Sequence, residues 1–181
     1  MSKRIFLHLL CVLICMLSAF LACAAQTSLL PHFLNDSYFV IDLLLCLTVS
    51  LGVCGGPAYG AFFGILAGIL ADCTGGFGIS LLPLYYMLCG YFSSVAAQLI
   101  PNKKFFVFLA TGMLCIIGRV LVALIYVMLS AGSIPLLDVG RYVLLPLLLG
   151  TTLFLPFSYP IGLLLTLPVR KTKHDSIEKI L

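Results

Sequence analysis

The chain has 181 residues, 62% of them hydrophobic and 9% charged, with ten Lys/Arg against six Asp/Glu. Soluble domains carry about 25% charged residues, and the mean hydropathy here is +1.23. This balance excludes a soluble globular enzyme, a disordered tail and a nucleic-acid binder, and it makes lipid the solvent of most of the chain.

Hydrocarbon offers no partner to a backbone N–H or C=O, so only helices or a closed barrel cross it. Barrel strands alternate apolar and polar residues over about ten positions. This sequence instead holds long unbroken apolar runs, and one helical span needs roughly 20 such residues. The expected fold is all-α: a polytopic bundle of six membrane spans forming a single domain over residues 1–181.

The first run covers residues 5–25 and follows Lys3 and Arg4. Ala22-Cys23-Ala24 resembles a signal-peptidase site, but the run exceeds the usual apolar core of a signal, so it is read as a retained span. A polar link, residues 26–38, leads to the second run, 39–53, with Asp42 near its start. Gly55-Gly56-Pro57 predicts a tight turn, because Gly admits unusual φ and Pro presets the bend. The third run, 58–71, ends at Asp72, and a Gly-rich turn follows at residues 74–78. The fourth run is 79–100, closed by Pro101-Asn102-Lys103-Lys104. The fifth, 105–129, carries Arg119 inside it. After a link at 130–142, the sixth run, 143–167, contains Pro146, Pro156 and Pro160. Those prolines predict kinks. A charged tail occupies residues 169–181.

Orientation follows from Lys and Arg in the short loops. Six spans put Lys3, Arg4, Lys103, Lys104, Arg170, Lys171, Lys173 and Lys179 on one side, which is eight of the ten basic residues. Arg141 stands alone on the other side. Both termini are therefore expected in the cytoplasm, with the basic tail against anionic headgroups. The chain is expected to be an integral, multi-pass membrane protein.

Gly56, Gly60, Gly64 and Gly68 recur every four residues along the third run. Such a stripe lets another helix approach closely. It serves either packing inside the bundle or docking of a partner's helix. Ionisable groups at membrane depth are costly and point to function or to structural pairing. Arg119 is the clearest, and Asp42 and Asp72 both fall at outward helix ends. A pair between Arg119 and either carboxylate is expected to brace the bundle. Tyr85, Tyr86, Tyr91, Ser93 and Ser94 add polar groups to the fourth run, for interhelical hydrogen bonds or a pocket.

The eight cysteines lie in or beside apolar runs without a C-x-x-C pair, and the three histidines are far apart. The cysteines are read as small buried hydrophobes. There is no H-E-x-x-H, G-x-S-x-G or phosphate-binding loop. No catalysis, metal or cofactor is expected.

Gly60-Ala-Phe-Phe-Gly-Ile-Leu-Ala-Gly-Ile-Leu-Ala-Asp72, the Gly-rich turn after it, and Leu-Leu-Pro-Leu-Tyr-Tyr-Met-Leu-Cys-Gly90-Tyr91 form one block. This block resembles the central signature of the rod shape-determining protein MreD family. Gln26 and Asp42 also match, although Ile41 stands where that family usually has Pro. The likeness is carried by residues 39–100. It implies a non-enzymatic scaffold of the bacterial cell-elongation machinery, set in the inner (cytoplasmic) membrane of a bacterial cell and binding a bitopic MreC-like protein. It also implies an indirect link to an MreB-like filament, a RodA-like glycosyltransferase and its transpeptidase. The family is similar in fold to S components of energy-coupling-factor transporters. The alternative reading is therefore a solute-binding subunit of a vitamin transporter.

Overall fold

The computed structural model describes residues 2–29, 41–75, 81–131 and 144–178. Among these residues six α-helices run in order: α1 Ser2–Ala24, α2 Leu43–Gly55, α3 Pro57–Gly75, α4 Leu82–Leu99, α5 Lys104–Ala131 and α6 Leu145–Glu178. A π-helical turn, Ala25–Leu29, extends α1, and a 3-10 turn, Pro101–Lys103, leads into α5. No strand occurs among the described residues. The chain is all-α, and three segments are long and apolar enough to cross a membrane: Pro57–Thr74, Pro101–Ile125 and Leu145–Thr166. Val12–Ser28 and Leu43–Gly55 are shorter apolar helical stretches. The link after the first helix, most of the Gly-rich turn and the link before α6 lie outside the described residues.

The centre of the bundle is the shortest of these α-helices. Every residue of α2 from Leu44 to Cys54 is buried, as expected of a helix apolar all round. The other five helices all touch it. At 13 residues it is about 20 Å long, short of the roughly 30 Å hydrocarbon layer. Its length is set at both ends by local chemistry. Asp42 caps the start, accepting from Leu45 N–H at 3.1 Å. Gly56 stops the far end at φ +109°, a left-handed conformation, and donates its N–H to Gly52 O. Pro57 then opens α3 at a first-turn position where a missing N–H costs nothing. The predicted tight turn is therefore a single residue between two helices.

The contacts also give helix direction. Asp42 meets Thr151 and Ser50 meets Ser158, so α2 and α6 run parallel. Gly60 lies at Gly90 and Gly68 at Pro83, so α3 and α4 run antiparallel. Phe105 meets Tyr159 and Gly112 meets Leu155, so α5 opposes α6. Tyr86 reaches Asp42 and Ser93 reaches Val49, so α4 runs with α2. From α2 to α6 the helices alternate in direction.

Large apolar side chains cover the outside, among them Leu17, Phe20, Phe62, Leu114, Phe157 and Leu164. An apolar exterior suits lipid rather than water. α6 runs as one helix past Pro156 and Pro160, both exposed, and on through Pro168 to Glu178, so the charged tail begins within it.

Candidate functional site: a buried ion pair and a glycine crossing

Asp42 is the point where four helices meet. It sits at the start of α2 and is 3% exposed. Arg119 of α5 brings its Nε to 3.3 Å from Oδ2. Tyr86 of α4, fully buried, donates its hydroxyl to the same oxygen. The other oxygen takes the Leu45 N–H of the cap. The backbone N–H of Asp42 donates to Thr151 Oγ1 of α6 at 3.3 Å, and that hydroxyl donates onward to Leu147 O at 2.6 Å.

The site is far from either end of α5. Arg119 lies 15 positions past Lys104, about 22 Å along the helix axis, or some two-thirds of a hydrocarbon layer. Taking two charges out of water is costly, and close geometry with further hydrogen bonds offsets that cost. Both conditions hold here. Either partner left alone would be a buried, uncompensated charge.

Of the two carboxylates proposed for Arg119, the structure selects Asp42. Asp72, near the end of α3, is part-buried, and its Oδ1 has no hydrogen-bond partner among the described residues. Gln26 Oε1 is in the same condition.

Below the ion pair, α2 and α6 are held by exchanged hydroxyls. Ser50 Oγ donates to Ser158 O at 2.8 Å, and Ser158 Oγ donates to Cys46 O at 3.3 Å. Tyr85 of α4 donates to the Cys115 carbonyl of α5, tying those two helices.

The glycine stripe of α3 has a partner within the chain. A Cβ on Gly60 would overlap the Gly90 carbonyl and the Gly52 Cα. One on Gly64 would overlap the backbone of Tyr86 and Met87, and one on Gly68 the backbone at Pro83. Gly90 returns the contact, since a Cβ there would overlap the Gly60 carbonyl. Gly52, Gly60 and Gly90 thus form a crossing of α2, α3 and α4 at backbone contact. The docking role read for the stripe is corrected on this ground: α4 already fills that side of α3. Gly56 is not part of the stripe, because it is the turn residue and has open space around it. The side of α3 that faces outward carries Phe62, Ile65 and Ile69.

Tyr86 was visible in the sequence only as one polar residue among several. Thr151, Ser50 and Ser158 were missed altogether. A signal existed: Thr151 and Ser158 are seven apart, on one helical face, inside an apolar run. Gly52 was missed because a lone glycine in a helix has no periodic signature.

Comparison of the chain with protein-family models, with curated proteins and with solved structures returns no match.

Proposed function

We propose that this protein is a six-span, non-enzymatic membrane scaffold of the MreD type, with both termini in the cytoplasm. In this reading it supports lateral peptidoglycan synthesis and rod shape through a bitopic MreC-like partner. The observation that carries the reading is where the signature residues fall. Asp42, Gly60, Gly64, Gly68 and Gly90 are the points at which the helices make their ionic and backbone contacts. A block that builds a rigid bundle, rather than a solute pocket, is what a scaffold needs. The alternating direction of α2 to α6 and the eight-to-one division of loop cations support the six-span topology.

With the glycine stripe occupied, the partner's helix must meet an outward face. Phe62, Ile65 and Ile69 on α3 are the outward counterpart of the signature. Mild-detergent capture of the tagged protein, with co-purified proteins identified by mass spectrometry, tests the reading. Recovery of a bitopic coiled-coil protein with wall-synthesis enzymes supports it. Recovery of paired ATPases and a large coupling subunit would make the chain a solute-binding component instead.

A further inference from the structure

At the end of the bundle opposite Asp42, the turn between α4 and α5 opens a cleft of about 400 Å³. Its wall includes Asn102, Lys103, Lys104, Phe105 and Phe106 from the turn and Tyr159 from α6. The cleft therefore spans two helices. Tyr159 is held in place by Phe105 and Phe108, each ring centroid 5.2 Å away. Both lysines are exposed. Neither the 3-10 turn nor the first turn of α5 has an acidic residue. Among the described residues, no carboxylate pairs with either lysine.

Three kinds of surface meet in this cleft. Two ammonium groups give point charges suited to phosphate. The Asn102 amide offers an uncharged hydrogen-bonding group. Phe106, 69% exposed, presents an apolar ring beside them. A free anion would use the first two and leave the ring without a role. A molecule with an anionic head and a hydrocarbon tail uses all three.

We propose that this cleft holds the headgroup of an anionic phospholipid, with Lys103 and Lys104 on the phosphate and an acyl chain along Phe106. The charge of the cleft complements the anionic leaflet on the basic side of the membrane. Aromatic rings with a polar edge suit the headgroup level. The inference rests on the chain crossing a membrane and is independent of the scaffold reading.

The test is native mass spectrometry of the full chain in detergent, titrated with phosphatidylglycerol or with phosphatidylcholine of the same chains. Phosphatidylglycerol should stay bound where phosphatidylcholine is lost. The double variant Lys103→Gln/Lys104→Gln should weaken that binding about thirtyfold, in line with the attraction of two surface cations to anionic lipid. Lys171→Gln/Lys173→Gln removes the same charge from the α6 extension and should change it little. Equal loss in both double variants would overturn the site in favour of general charge attraction. Equal retention of the two lipids would overturn charge recognition. Displacement by inorganic phosphate would make the ligand a free anion. Unchanged circular dichroism and elution of the variants check that the fold is intact, and Lys103 and Lys104 are exposed. Failure to capture wall-synthesis partners would leave this result untouched.

Discussion

The two ends of α2 hold the bundle together by opposite means. At its start, Asp42 gathers charge and hydrogen bonds from α4, α5 and α6. Toward its other end, Gly52 meets Gly60 and Gly90 at backbone contact, with the Ser93 hydroxyl beside them. The first junction is directional and fails if one partner goes. The second depends on shape and fails if anything is added. Lipid explains why both are needed. Burying apolar surface gives little preference for helix over lipid, so packing and polar contacts must fix the arrangement.

The sharpest way to break this contrast is Arg119→Leu. It leaves the Asp42 carboxylate buried without its cation, and such losses cost about 3–5 kcal/mol. Thermal or denaturant unfolding in detergent should show a fall of that size. Adding Asp42→Asn to the same chain should recover part of it, because no lone charge then remains. If the double variant is worse by the full sum of the singles, the ion pair is not the term that matters.

Gly60→Leu probes the other junction. The new side chain meets the Gly90 carbonyl and the Gly52 backbone, neither of which can rotate away. A loss of about 3 kcal/mol, at the upper end for overpacking, is expected. Gly56→Ala is its control. No atom lies near that position, so only the strain of φ +109°, ψ 172° remains, worth about 1–3 kcal/mol. Equal effects from the two variants would show that backbone contact at the crossing is not limiting.

Tyr86→Phe keeps the ring and removes one donor to the carboxylate. Hydrogen bonds to charged groups are worth about 1.5–3 kcal/mol, and the surrounding donors should hold the loss near the lower figure. Ser50→Ala removes the bond to Ser158 O and should cost only about 0.6 kcal/mol, the average for side-chain hydrogen bonds between membrane helices. Measured in one detergent series, these values should descend in the order given. A Ser50→Ala effect as large as that of Arg119→Leu would move the main polar junction from the start of α2 to its middle.

How far the sequence carried this picture differs between the two junctions. Arg119 stood out because a charge in an apolar run is rare, and the carboxylates that could answer it were few. The choice between Asp42 and Asp72 was not legible, since both end a helix on the same side. It was decided by which helix lies beside α5. The stripe at Gly60, Gly64 and Gly68 was legible as a close-packing face. Its occupant was not, because small residues state only that something comes near.

Composition and pattern by themselves determined the class of solvent, the helical fold and the position of the apolar runs. These follow from the cost of an unpaired backbone in hydrocarbon, which no packing arrangement can change. The one-residue turn at Gly56 was also written locally, in the chemistry of Gly and Pro. Only the tertiary structure decided that the shortest helix would be central, that Asp42 rather than Asp72 would receive Arg119, and that α4 would cover the glycine stripe. Those are matters of which helix neighbours which, and neighbours far apart in sequence are chosen by how surfaces fit together, not by the order of residues along any one helix.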